Sequence, residues 1–272
     1  MTGAPNIVPP NGKRSPREPV LVTWTRRSIA IALVGGVIVL AVAAGGLYLE
    51  LGQGPDPAAL SAVEDDPDVT VTHTVGGHLV HSGPVSSDTT GIVLYPGGLV
   101  DPESYVPTAA AIAAGHDVAV VIPKMPYNLA ILDVDRAGSA RDAAPEIRDW
   151  YVAGHSLGGV AACRYAVANP EVVEGIVLFA SYCDRDLSDT DIRALSVLGT
   201  EDEVLDRDAE HRNRELLPAS ARIVEIEGMN HAQFGAYGSQ RGDGTATIEN
   251  EAARAQLAAE VVAWLEDRKT DD

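Results

Sequence analysis

Three residue types, far apart along the chain, have the spacing and surroundings for nucleophilic chemistry. Gly154-His155-Ser156-Leu157-Gly158-Gly159 fits G-x-S-x-G. It stands between an apolar run at 150–154 that reads as a strand and a stretch at 157–168 that reads as a helix. A serine on a sharp strand-to-helix turn holds its hydroxyl at the C-terminal edge of a sheet, and the flanking glycines leave room for the tight backbone. The helix N-terminus behind it favours developing negative charge. A serine hydroxyl needs a base. Of seven histidines, His231 is the best placed, in Glu227-Gly228-Met229-Asn230-His231, just after the last strand-like run. His73, His78 and His81 lie in or beside an early hairpin, His116 precedes a strand, and His211 lies in an acidic helix. His155 fills the variable position of the turn, where it shapes the turn or the pocket. A carboxylate must hold the imidazole in one tautomer and stabilise the imidazolium. Asp202 follows the strand-like run 194–199 and gives the chain order Ser156, Asp202, His231, with Glu201 and Asp184 as alternatives.

Acyl transfer through such a serine also needs donors for the oxyanion. The N–H of Leu157, directly after the nucleophile, is one candidate. The second is expected in Tyr95-Pro96-Gly97-Gly98-Leu99, at Gly98, with Leu99 as the alternative. Losing one such donor typically costs about 2.7–4 kcal/mol of transition-state stabilisation.

These side chains must be brought to one place by the elements between them. Residues 69–73 and 78–82 flank Val75-Gly76-Gly77 and read as a hairpin. Short apolar strands are expected at 91–95, 117–123, 150–154, 175–181, 194–199 and 221–227. Helices are expected at 104–114, 134–144, 157–168, 207–217 and 249–267. This alternation predicts an α/β fold, a parallel sheet covered on both faces.

With Tyr95–Gly98, Gly154–Gly159, Gly199–Asp202 and Asn230-His231 in this order, the body resembles the alpha/beta-hydrolase superfamily from about Val69 to Asp267. It is similar to small bacterial enzymes akin to dienelactone hydrolases, and residues 124–130 and 230–244 resemble an anchored subgroup of them. The resemblance implies an alpha/beta-hydrolase fold, with a mostly parallel eight-stranded sheet, and a catalytic triad of Ser156, Asp202 and His231. It departs from dienelactone hydrolases in the nucleophile, which is cysteine there and Ser156 here. Many relatives insert a cap domain where this chain has only residues 182–193, so an open, shallow site is expected. Met125, Tyr127, Asn128 and Leu129 are expected to line it, or else to form a surface loop, with Phe234 and Tyr237 packed nearby.

Composition narrows the partners. The chain has 272 residues, a net charge of −19 and ordinary apolar content, which excludes a disordered chain and disfavours nucleic acid. Residues 28–49 carry no charge, and as a helix they would span about 33 Å, enough for a bilayer. Five basic residues precede them and acids follow, so the expectation is a basic cytoplasmic tail at 1–27, a transmembrane anchor at 28–49 and an extracytoplasmic body. A cleaved signal peptide is the alternative. Residues 50–68, rich in Pro, Gly and acids, read as a flexible tether, and 69–272 as the hydrolase domain. Cys163 and Cys183 are expected as buried free thiols, although a disulfide is permitted outside the cytoplasm. No cofactor or metal-ligand pattern is visible. The function expected is a serine hydrolase, a carboxylesterase for small or surface-presented acyl esters of small molecules, lipids or glycans. The alternatives are an envelope acyltransferase with the same triad and a non-catalytic anchored module.

Overall fold

The computed structural model describes residues 53–267. The basic tail and the apolar run 28–49 lie outside the described residues. Among the described residues no helix is long and apolar enough to cross a membrane.

Eight strands form one sheet in the order β1-β2-β4-β3-β5-β6-β7-β8. They are β1 Thr70–Thr74, β2 Gly77–His81, β3 Thr90–Tyr95, β4 Val118–Pro123, β5 Trp150–His155, β6 Val173–Phe179, β7 Arg193–Gly199 and β8 Arg222–Ile226. β1 pairs antiparallel with β2, and β2 with β4; every other pairing is parallel. The central strands are buried on both faces, which is why their sequences are unbroken apolar runs rather than alternating ones. The early hairpin forms as expected, but β1 is mostly exposed at the sheet edge, where its threonines face water.

The helices are α1 Pro57–Glu64, α2 Val106–Ala113, α3 Arg136–Ala140, α4 Leu157–Ala168, α5 Arg207–Asn213 and α6 Asn250–Asp267. Two apolar clusters cover the two faces of the sheet. One packs α2 and α6 against Ile92, Leu94 and Val120; the other packs α3 and α4 against Val93, Val121 and Val152. Each such aliphatic side chain, fully buried, contributes about 1.5–3 kcal/mol. The helices expected at 134–144 and 207–217 are shorter, each closing in a single 3₁₀ turn.

The acidic stretch expected as a tether holds an ordered helix instead. Asp56 caps α1 by accepting the N–H of Ala58 at 2.9 Å, and Pro57 sits at its first position. Leu60 and Val63 of α1 pack onto the core. Ahead of it, Gln53 bridges to Val100 in parallel register, donating to the Leu99 carbonyl at 2.7 Å and accepting from Asp101 at 2.9 Å. Composition hid this helix, because its two apolar anchors lie among acids and small residues.

The strand order reverses at β3, which pairs with β4 on one side and β5 on the other. Crevices at such switch points, beyond the C-terminal ends of the strands, are where open α/β sheets bind ligands. Here the loop after β3 begins at Pro96 and the turn after β5 holds Ser156, so both flank the reversal.

Candidate active site

The turn after β5 forces Ser156 into a positive-φ conformation, φ 52° and ψ −123°. Its N–H donates to the Phe179 carbonyl at 2.9 Å, and its carbonyl accepts from Gly159 N–H at 3.0 Å and from the Ser181 hydroxyl at 2.6 Å. A Cβ on Gly158 would overlap the carbonyls of Tyr95 and Pro96, so this motif glycine lets α4 press against the end of β3. The described residues contain five non-glycine positive-φ positions: Leu99, Tyr127, Asn128, Ser156 and Ala180. Ser156 and Ala180 line one pocket, and Leu99 donates its N–H to the Asn128 carbonyl at 2.8 Å beside Gly98. Strained backbone of this kind gathers at functional sites.

Asp202 and His231 meet as expected. Nδ1 of His231 lies 2.8 Å from Oδ2 of Asp202, and both side chains are buried. Oδ1 of Asp202 accepts the N–H groups of Val204 and Leu205, each at 2.9 Å. Burial by itself would raise the Asp202 carboxyl, but the hydrogen bond and charge of His231, with those two N–H groups, hold it below the usual carboxylate range. The carboxylate is therefore ionised at neutral pH, and His231 donates to it through Nδ1. The two alternatives are occupied elsewhere: Asp184 is paired with Arg164 at 2.6 Å, and Glu201 takes a bond from Thr200.

Ser156 and His231 are neighbours through His155, whose ring centroid lies 4.4 Å from that of His231. No hydrogen bond joins the Ser156 hydroxyl to the imidazole in this structure. In the loop that carries the candidate oxyanion donor Gly98 and its alternative Leu99, Gly97 gives its N–H to the Tyr105 hydroxyl at 2.9 Å and Leu99 gives its own to Asn128. Gly98 lies between these two committed groups, against the side chain of Leu157. The N–H of Leu157 belongs to the first turn of α4, where backbone donors have no intrahelical partner. Met125 and Asn128 are buried, while Tyr127 is exposed on the same loop. Phe234 and Tyr237 pack around His155.

Beside Ser156 lies a pocket of about 250 Å³, walled by Leu157, Val160, Ala180, Tyr182, Val204 and Leu205. The segment between β6 and β7 contains no helix, so among the described residues it forms no cap over the pocket. Among the described residues no cluster of three or more His, Cys, Asp or Glu side chains is placed to hold a metal ion.

Two functional features are not visible as sequence motifs. Asp243 clamps the loop that carries His231, accepting the N–H of His231 at 3.1 Å, of Ala232 at 2.8 Å and of Gly244 at 2.9 Å. Its only signal is an acid between two glycines in a long polar stretch. The second is Tyr105, which binds both Gly97 and His155. The cysteines correct the expectation of free thiols: Cys163 of α4 and Cys183 after β6 form a disulfide. The elbow turns α4 back along β6, which leaves the two Cα atoms 5.3 Å apart, within bonding range.

With the fold and this geometry in view, the class is that of an open α/β sheet carrying a serine elbow and an acid–imidazole pair at its switch point. The sequence pattern of the alpha/beta hydrolase family matches residues 91–255, more than half of the chain, and the chain belongs to that family. No curated protein matches it significantly. Similar solved structures include a membrane phospholipase A described as a bacterial virulence factor. It is 16% identical, with 86% of this chain and 99% of that chain covered and a TM-score of 0.52. An esterase from the hyperthermophilic archaeon Pyrobaculum calidifontis is 15% identical, with coverage of 76% and 90% and a TM-score of 0.54. A dienelactone hydrolase from Anabaena variabilis is 17% identical, with coverage of 74% and 98% and a TM-score of 0.53. At these identities the likeness is one of fold.

Proposed function

We propose that the protein is a serine carboxylesterase working through an acyl-enzyme. The observation that carries this reading is the buried Asp202–His231 hydrogen bond set beside the strained Ser156 elbow. With Nδ1 committed to Asp202, Nε2 of His231 is the atom left to accept the Ser156 proton. The serine oxygen attacks the ester carbonyl, and the N–H groups of Leu157 and Gly98 hold the oxyanion. His231 then passes its proton to the leaving alcohol, and a water molecule repeats the sequence on the acyl-serine.

The pocket volume supports a short acyl group. At about 30 Å³ per water in the liquid, 250 Å³ holds about eight heavy atoms. The body is proposed to work outside the cytoplasm, held there by the apolar segment 28–49; the Cys163–Cys183 disulfide supports an oxidising compartment. The test is labelling of the purified full-length chain by a fluorophosphonate, with p-nitrophenyl ester turnover measured in parallel. The wild type is expected to label and turn over, and Ser156→Ala to do neither. Equal labelling of both would remove Ser156 from the mechanism.

A further inference from the structure

Tyr105 and His155 are buried polar side chains outside the set that would touch an ester. The N–H of Gly97 reaches the Tyr105 hydroxyl at 2.9 Å, and that hydroxyl lies 2.7 Å from Nδ1 of His155. A backbone N–H can only donate, so the tyrosine oxygen accepts from Gly97 and its own proton goes to Nδ1. The ring proton of His155 then sits on Nε2, which is buried against the backbone of His231. The faces of the ring are also held, stacked on Phe234 with centroids 5.5 Å apart and lying 4.4 Å from the His231 ring. A Cβ at Gly97 would come within 2.8 Å of both the tyrosine oxygen and Nδ1, so the loop is pressed directly onto this pair.

The chain positions give the arrangement its meaning. Gly97 precedes the oxyanion candidate Gly98, and His155 precedes Ser156. One side-chain bridge therefore joins the residue before the oxyanion donor to the residue before the nucleophile, and it lies against the base. An apolar pair would fill the same space without the cost of burying polar groups. Hydrogen bonds fix distance and direction, whereas apolar packing fixes mainly volume.

We propose that Tyr105 and His155 are positioning residues that hold the Gly98 N–H, the Ser156 hydroxyl and the His231 ring in mutual register for the reaction. This rests on the serine-esterase reading above. The bridge makes no contact with substrate; it limits how far the oxyanion loop can drift from the elbow.

The test uses full-length Tyr105→Phe, His155→Phe and the double variant, with concentrations set by fluorophosphonate titration so that only competent serines are counted. Each single variant is expected to lose at least tenfold in kcat with KM within twofold of wild type. The inhibition constant of a boronic acid that forms a tetrahedral adduct should rise by the same factor. The double variant should lose no more than the singles, because both remove one connection. Unchanged kcat per titrated site, or losses that multiply in the double variant, would overturn the proposal even if thermal stability fell. His155→Asn retains an acceptor near the Nδ1 position and is expected to keep kcat within threefold of wild type. Should the phenylalanine variants not fold, a tenfold loss in His155→Asn would overturn the proposal and retention would support it. A wild type that neither labels nor turns over would refute the esterase reading itself. A labelled, active wild type with equally active variants would refute only the positioning role.

Discussion

Replacing Asp202 with asparagine separates the electrostatic role of this carboxylate from its structural one. The amide oxygen can still accept the N–H groups of Val204 and Leu205, now at 2.9 Å each, so the turn after β7 keeps its anchors. The amide nitrogen then replaces Oδ2, the atom 2.8 Å from Nδ1 of His231. An NH₂ group there can only donate, so Nδ1 must become the acceptor and the ring proton moves to Nε2. That is the atom required to take the Ser156 proton, and the imidazolium also loses its counter-charge. Loss of the correct tautomer in a serine triad costs about 10⁴ in kcat, or about 5.5 kcal/mol at 1.36 kcal/mol per tenfold. The folded state exchanges three hydrogen bonds to a carboxylate for three to a neutral amide, a difference of up to about 3 kcal/mol, which for a domain of this size lowers Tm by up to about 6–12 °C. The assay is steady-state turnover of p-nitrophenyl acetate by the full-length variant, with a thermal melt on the same preparation. A variant within tenfold of wild-type kcat would refute the reasoning, because His231 would then be working without Asp202 or another group would be the base.

Three further outcomes are expected. Reducing the Cys163–Cys183 disulfide reopens a loop whose ends are 20 residues apart, which should remove about 3 kcal/mol and lower Tm by about 6–12 °C; calorimetry with and without dithiothreitol checks this, and a shift below about 1 °C contradicts it. Burial holds the His155 imidazole well below its usual range, so the unfolded chain binds a proton that the folded chain refuses. This contribution to stability is full above about pH 6.5 and shrinks as pH falls toward the folded value, by up to about 1.4 kcal/mol per pH unit; urea unfolding should show the wild type losing stability relative to His155→Phe on acidification. In a series of p-nitrophenyl esters, each added methylene should raise kcat/KM about fourfold, at about 0.8 kcal/mol, until the acyl group reaches about eight heavy atoms. Leu205→Ala should move that limit to longer chains.

The elbow was legible because its evidence is local: six consecutive residues between an apolar run and a helix, with α4 observed at the expected bounds, Leu157–Ala168. The parallel sheet was legible for a related reason, since strands buried on both faces must be continuously apolar. Asp202 was harder, because Glu201 follows the same strand. The choice between them lies in a turn that directs the N–H groups of Val204 and Leu205 at one carboxylate, which residue types alone do not specify. Tyr105 and His155 are fifty residues apart, and only tertiary packing makes them partners. The cysteines likewise needed the distance between α4 and the loop after β6. Helix α1 was missed because acidic composition outweighed a proline start and two spaced anchors, although Asp56 and Pro57 carried the start signal in the sequence.

Leu99, Tyr127 and Asn128 occupy backbone conformations in which glycine would be at ease. Substituting glycine there would relieve steric strain while making the unfolded chain freer to roam, so the net gain in robustness would be small at any one position. What glycine would also erase is the side chain, and in Tyr127 that is an exposed aromatic ring on the loop whose Asn128 carbonyl holds the N–H of Leu99. Anyone hardening this protein for practical use should therefore leave these three positions alone and work on the far end of the sheet.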